Sequence, residues 1–263
     1  MPFPDYIDRQ PKIIFFTDFD GTISKTDSCD WLIENEGYGY ARMQEDFQAV
    51  YNGKKTYREV SQEQFESIKT PFNKCVEKIL THVSLDEHFT AFYQWCISVS
   101  IPVVILSGGL TPIIRALLSV AIGHELDGIE IVANSVVVRE GFKTIDEGGG
   151  WKVQFHDDSD YGNDKSSAIR PYAKHREELP EDLRPILLYA GDGVSDMSAA
   201  RETDLLFAKE GQDLIRYCKE QNLVFTEFKD WKEILEITQD LFYRKKMIAE
   251  VIEESRSLGE GNV

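Results

Sequence analysis

Three apolar runs in this chain each stop at a polar, glycine-containing turn: IIFFT runs into DFDGT, VVIL into SGGLTP, and ILLYA into GDGVSD. Short apolar runs bounded by such turns read as buried strands, and the stretches between them carry the apolar spacing of helices. Alternation of this kind predicts an α/β fold, a mainly parallel sheet with helices on both faces. Strands are expected at Ile13–Thr17, Val103–Leu106, Ile186–Ala190 and Asp204–Phe207. In open α/β sheets ligands bind beyond the carboxyl ends of the strands, so the three turns are expected to converge on one site.

Between the first two strands, residues 24 to 83 show no strand run. DSCDWLIENEGYGYARMQEDFQAVY and YREVSQEQFESIKTPFNKCVEKIL instead have helical spacing. The expected division is a catalytic core of residues 1–24 and 84–263 with a helical cap domain inserted over 25–83. LDEHFTAFYQWCISVS reads as a core helix leading into the second strand, and LTPIIRALLSVAI as a helix with proline near its start. GIEIVANSVVVREG and GGGWKVQFHD read as a hairpin extension turning at Gly148–Gly150, NDKSSAIRPYAKH as a helix capped by Asn163 or Asp164, and the tail SRSLGEGNV as disordered.

A net charge of −17 argues against nucleic acid or an anionic membrane as partner, because phosphate would be repelled on approach. Apolar stretches such as IPVVIL are too short to span a bilayer, and MPFPDYIDRQPK lacks the features of a signal peptide, so a cytoplasmic location is expected. Cys29, Cys75, Cys96 and Cys218 are scattered without a CxxC spacing, which predicts reduced, mostly buried thiols and neither disulfides nor zinc. An anionic substrate would then need local positive charge.

The turns supply the parts of one reaction. Asp18, at a strand tip, can attack phosphorus and form an aspartyl-phosphate. Asp20, two residues on, can protonate the leaving alkoxide and later deprotonate the attacking water. Mg²⁺ suits the oxygen-only ligands Asp18, Asp20, Asp192 and Asp196 and would let a carboxylate approach a dianionic phosphate. Ser107 with the amides of Gly108 and Gly109 can donate to the phosphate as a helix N-terminus does, and Lys165 brings positive charge.

DFDGT, LSGG, NDK and GDGVSD, in this order, resemble the four motifs of the haloacid dehalogenase superfamily over nearly the whole chain. The resemblance implies a Rossmann-like core with a helical cap inserted after the first motif. It also implies Asp18 as nucleophile, Asp20 as acid and base, Ser107 as phosphate ligand, Lys165 as clamp on phosphate and nucleophile, and Asp192 as metal ligand. Asp196 would be a further ligand or would orient a metal-bound water. IPVVILSGG and the cap position look like the phosphoserine phosphatase branch, and GDGVSDMSAARETDLLFAKEGQDLIRYCKEQNL is similar to methionine-salvage enol-phosphate phosphatases and fungal polyol phosphate phosphatases. GDG stands where the methionine-salvage enzymes tend to have GDS. Asp27 lies where phosphoserine phosphatases carry a glutamate that meets the substrate ammonium, and its shorter carboxylate favours hydroxylated leaving groups. It also suits the cap of the first inserted helix.

The implied activity is a Mg²⁺-dependent phosphatase of a small phosphorylated metabolite: a polyol, sugar or enol phosphate. Phosphoserine phosphatase, phosphomutase and a catalytically silent binding protein remain alternatives. A halide-removing enzyme would not need Asp20, and a cap of this size would hinder a folded phosphoprotein. His156 reads as a solvated loop residue, and His82, His88, His124 and His175 have no partner pattern. Trp31, Tyr38, Tyr40, Tyr51 and Tyr57 read first as cap packing, while Lys54, Lys55 and Arg58 are either a solvated face or a patch facing an anion. The oligomeric state is not fixed by the sequence.

Overall fold

The computed structural model describes residues 10–123, 126 and 128–260. Its strands are β1 (Ile13–Thr17), β2 (Val103–Leu110), β3 (Ile129–Val138), β4 (Trp151–Gln154), β5 (Ile186–Gly191), β6 (Leu205–Lys209) and β7 (Thr226–Phe228). They form one sheet in the order β4-β3-β2-β1-β5-β6-β7, parallel except for the antiparallel pair β3 and β4. The three glycine-containing segments therefore belong to neighbouring strands: two follow β1 and β5, and SGG lies within the last part of β2. Thr17 lies opposite Ile105 on one side and Ala190 on the other, and the Asp18 amide donates to the Ala190 carbonyl at 2.8 Å.

The helices are α1 (Ser28–Glu36), α2 (Tyr40–Tyr51), α3 (Tyr57–Ser67), α4 (Phe72–His82), α5 (Phe89–Ser98), α6 (Thr111–Ile122), α7 (Lys165–Glu178), α8 (Met197–Ala200), α9 (Asp213–Glu220), α10 (Trp231–Phe242) and α11 (Ile248–Glu260). Side chains alternate across a strand, so β1 feeds both faces of the sheet. Ile13 and Phe15 pack with Phe89 and Phe92 of α5 and Trp231 of α10, while Ile14 and Phe16 pack with Ile169 and Tyr172 of α7 and Leu214 of α9. Each fully buried side chain of this size contributes about 1.5–3 kcal/mol. Trp231 also donates from Nε1 to the Thr22 carbonyl at 2.9 Å, which fixes the turn after β1 against the buried side of α10.

Helices α1 to α4 form the helical insert between β1 and β2, closed at its base by a bridge between Ser24 and Leu85. Each of the two helical segments expected there is broken in two. Gly39, with φ of 90°, turns the chain between α1 and α2, and Pro71 precedes α4. A reciprocal Thr56–Glu59 capping box starts α3. The β3–β4 extension braces this insert: Trp151 lies 5.3 Å from Phe72 and 6.2 Å from Phe65, and its Nε1 donates to the Thr70 carbonyl at 2.9 Å.

Three expectations are corrected. Strand β2 does not stop at Leu106 but runs on through the glycines to Leu110. The hairpin loop spans residues 139–150, with the glycine run only its last part. The tail is not disordered from Ser255: Ile248, Val251 and Ile252 form an apolar stripe on the core, and α11 continues to Glu260. Residues 261–263, residues 1–9 and His124 lie outside the described residues. All four cysteines are unpaired. Among the described residues no helix is long and apolar enough to cross a membrane.

Candidate active site

The DFDGT turn leaves the buried end of β1 and presents two carboxylates to different neighbours. Asp18 Oδ1 accepts from the Phe19 amide at 2.6 Å, and Oδ2 lies 2.7 Å from Lys165 Nζ. Asp20 Oδ1 accepts from the Ser28 amide at 2.8 Å, at the start of α1. Gly21 makes the turn possible twice over: its φ is +75°, and a Cβ there would overlap Asp192 Oδ2. At Gly109 a Cβ would come within 2.6 Å of Asp20 Oδ2, so the second turn also needs a glycine where it passes the first.

Lys165 is the first residue of α7, which is capped by Asp164 through a bond from the Ser166 amide. Its ammonium, 2% exposed, is held between Asp18 and Asp196 Oδ1, the latter at 2.6 Å. Burial would lower its pKa, but the two carboxylates overcome this and raise it. Asp196 is fully buried and its two oxygens are already engaged: Oδ1 also accepts from the Tyr189 hydroxyl at 2.5 Å, and Oδ2 accepts from the Asp192 and Gly193 amides, each at 2.9 Å. The Asp192 carboxylate accepts from the Thr22 hydroxyl at 2.9 Å. Asp18, Asp192 and Asp196 bring oxygens within 4.8 Å of one another, a cluster that could hold a metal ion.

Several of these acids share too little positive charge. Burial pushes the Asp18 pKa well above its ordinary value despite Lys165. Burial and then the charge of Asp27 push Asp20 up to about 8, and burial and then Asp196 push Asp192 up to about 7. Such elevated carboxyl groups mark a site built to exchange protons or receive a cation.

Ser107 is buried within β2, three residues before its end, where its Oγ accepts from the Gly109 amide at 2.9 Å and keeps its own proton for another acceptor. The Gly109 amide is thus turned inward, and α6 begins only at Thr111, which corrects the expectation of a helix N-terminus at this loop. Gly108 is exposed.

Two asparagines missed as site residues hold this loop. Asn163, one of the two cap candidates for α7, leaves that place to Asp164 and donates from Nδ2 to the carbonyls of Ser107 at 2.8 Å and Val132 at 2.9 Å. Asn134 donates to the Gly108 carbonyl at 2.7 Å and accepts from the His156 main chain at 2.9 Å. A short amide in the middle of a strand, as in VANSV, was the available signal, since strands rarely keep asparagine without a use.

The helical insert contributes Asp27, which caps α1 by accepting from the Asp30 amide at 2.8 Å. Ligand atoms of Asp27, Asp20 and Cys29 all lie within 4.8 Å of one another, so the capping residue also borders the site. Trp31 stacks on His82, and the Tyr38 hydroxyl donates to Asp46, which leaves both as packing residues. Tyr40 and Tyr51 are exposed. Arg58 reaches the Asp157 carbonyl and covers the Phe155 ring, so it fastens α3 to the core.

Tyr189, a strand residue with no sequence signal of its own, is the further residue the fold brings in. Removing its hydroxyl takes a buried donor from Asp196, and hydrogen bonds to charged groups contribute about 1.5–3 kcal/mol. Tyr189→Phe should lose stability of that order in urea unfolding. An unchanged midpoint would show that the hydroxyl does not hold Asp196.

A family model described as haloacid dehalogenase-like hydrolase matches residues 15–201. Over 236 residues the chain is 41% identical to Pdp3-interacting factor 1 of Schizosaccharomyces pombe, covering 89% of this chain and 98% of that one. It is 40% identical over 245 residues to the polyol phosphate phosphatase PYP1 of Saccharomyces cerevisiae, covering 92% and 99%. The fold is also similar to a phospho-aspartyl intermediate analogue of phosphoserine phosphatase, with a TM-score of 0.61 at 17% identity over 86% of this chain and 99% of that one.

Proposed function

We propose, for a chain that belongs to the haloacid dehalogenase-like hydrolase family, that it is a Mg²⁺-dependent phosphatase of a small polyol, sugar or enol phosphate, working through an aspartyl-phosphate. The observation that carries this reading is the arrangement at the β1 tip, where a carboxylate fixed by Lys165 and the Phe19 amide stands beside a second carboxyl held by the Ser28 amide, which burial pushes up to about 8. The first can act as nucleophile without swinging out of place. The second can hold a proton near neutral pH and take one back.

In the first half-reaction an Asp18 oxygen forms a bond to phosphorus while the bond to the leaving oxygen breaks, and the Asp20 carboxyl gives its proton to that oxygen. In the second, water attacks phosphorus, its proton passes to Asp20, and the bond to Asp18 breaks to release phosphate. Lys165 and the Ser107 hydroxyl are placed to donate to phosphate oxygens, with the exposed Gly108 amide beside them. We read Asp196, with every oxygen bonded, as the residue that positions Lys165 and the Asp192 turn. The helices of 25–83 then act as a cap over the core formed by 1–24 and 84–263.

The donor set fits magnesium, being all oxygen and short of counter-charge. Asp18, Asp192 and the main-chain carbonyl of Asp20 would hold it, and it would supply positive charge against which a dianionic phosphate can approach a carboxylate. The unpaired cysteines suit a reducing compartment such as the cytoplasm.

A panel of small phosphate monoesters assayed for free phosphate with Mg²⁺ tests the activity. No turnover on any ester would overturn it, and isomerised ester without free phosphate would make the protein a mutase. Stability gives a separate check on the metal. Burial holds Asp192 up at about 7 and Asp20 at about 8, above the ordinary range of an unfolded aspartate, so the folded protein binds more protons than the unfolded one between that range and pH 8. Metal-free stability should therefore fall as pH rises through this interval. Mg²⁺ held by Asp18 and Asp192 would compete with the protons on those carboxyls, so at saturation it should raise Tm by about 5–10 °C near pH 8 and by less near pH 6. A shift as large at the lower pH would contradict the assignment.

A further inference from the structure

The part of β2 that presents Ser107 is a bulge. Between one matched pair and the next, β3 advances from Ala133 to Asn134 while β2 advances from Ser107 to Leu110, so Gly108 and Gly109 are looped out of the ladder. A bulge interrupts the regular hydrogen bonds of a strand and re-aims the residues beside it, so these peptides need other partners to fix them. Two buried amides supply the partners. Asn163, 5% exposed, donates from Nδ2 to the carbonyls of Ser107 and Val132. Asn134, 2% exposed, donates to the Gly108 carbonyl while its Oδ1 accepts from the His156 amide.

These bonds set where the neighbouring N–H groups point. Val132 belongs to β3, so the Ser107 carbonyl, which shares one nitrogen with the Val132 carbonyl, faces β3. Both peptides of the bulge are trans, and across a trans peptide the N–H points opposite to the C=O. The Gly108 N–H is therefore turned away from β3, toward the β1 side on which Asp18 emerges. Asn134 draws the Gly108 carbonyl toward β3 as well, and the Gly109 N–H turns the other way and meets Ser107 Oγ at 2.9 Å. Successive N–H groups on one side form a concavity that suits an anion. Asn163 also stands two residues before Lys165, so one short arm links the Ser107 carbonyl to the ammonium that clamps Asp18. Its Oδ1 is buried with no partner among the described residues, which takes back part of what its two bonds give to stability.

We propose that Asn163 and Asn134 are positioning residues for phosphate. Together they aim the Gly108 N–H and the Ser107 hydroxyl at a phosphate held beside Asp18, at the separation from Lys165 that the Asn163 arm fixes. Neither touches substrate. This role deepens the phosphatase reading and rests on it.

Inorganic phosphate, titrated calorimetrically with Mg²⁺ present, reads the grip without turnover. Asn163→Ala and Asn134→Ala should each bind it about tenfold more weakly, the scale of one misplaced hydrogen bond to a charged group. In turnover, each variant should lose kcat/KM by the same factor on glycerol 3-phosphate and on p-nitrophenyl phosphate, which share only the phosphate. In wild type carrying isotopically labelled glycine, the Gly108 N–H resonance should shift when phosphate is added, and Asn163→Ala should lose that shift. Gly108→Ala identifies the resonance, since a Cβ there meets no atom within 4 Å.

If the asparagines only staple the strands together, the variants will have a lower Tm but, while folded, the phosphate affinity of wild type, and the positioning role is overturned. A Gly108 resonance that phosphate does not move overturns it too, and that measurement needs no variant to fold. So does failure of phosphate to bind wild type. If no ester is hydrolysed, the phosphatase reading fails while the titrations still read the grip. If esters are hydrolysed and both variants bind phosphate as wild type does, the positioning role falls and the phosphatase stands.

Discussion

Asp18→Asn is expected to fold and to lose turnover by about 10⁴-fold or more, the scale seen when a covalent nucleophile is removed. The amide is nearly isosteric and its oxygen can still accept from the Phe19 amide. What it lacks is the lone-pair charge that attacks phosphorus. Stability should change little, because two effects oppose each other: the ion pair with Lys165 is lost, but so is a buried carboxyl that burial had pushed well above its ordinary pKa. Phosphate release together with thermal unfolding checks both halves. Retained activity in a folded variant would remove the aspartyl-phosphate from the mechanism.

Lys165→Met should be the most damaging of the conservative-volume changes. It strands Asp18 and the fully buried Asp196 without their shared cation, and breaking a buried ion pair from one side costs about 3–5 kcal/mol. For a chain of this size that is a fall in Tm of about 10 °C. The loss also carries a pH signature. Without Lys165 the Asp18 pKa, already raised, rises further, so the folded state gains protons relative to the unfolded state and stability falls more steeply as pH increases. The deficit against wild type should therefore be smaller near pH 5 than near pH 8. A deficit that does not depend on pH would mean that lost packing, and not the stranded carboxyls, sets the cost. Turnover should fall too, since the phosphate loses its donor and Asp18 its anchor.

Much of this site was legible because its chemistry is local. Asp18 and Asp20 follow a strand within one turn, Ser107 stands in another where its glycines begin, and Lys165 opens a helix whose cap residue is its neighbour. Strand periodicity together with turn chemistry fixes such positions within a few residues, so the order of parts along the chain already implied a parallel sheet with its turns on one edge. The matched strand Ile13–Thr17 shows how far an uninterrupted apolar run can be trusted.

Errors arose where a local signal competed with a distant partner. The glycines of LSGGL signal a turn, yet they extend β2 because β3 pairs alongside as far as Asn134 opposite Leu110. Polar residues near the C-terminus signal disorder, yet Val251 is buried and anchors α11 on the core. Of the two cap candidates for α7, Asp164 caps it, while the side chain of Asn163 is occupied by carbonyls from β2 and β3, which no local signal shows.

Sequence alone determined which reactive groups exist and at which strand ends they emerge, because hydrophobic periodicity and turn stereochemistry act over a few residues. Only the tertiary structure decided what those groups do to one another. Tyr189 touches Asp196, and Arg58 is drawn away to Asp157. Burial and charge act through space, so the elevated carboxyl pKa values and the enclosed Lys165 emerge only once segments remote in the chain have packed together.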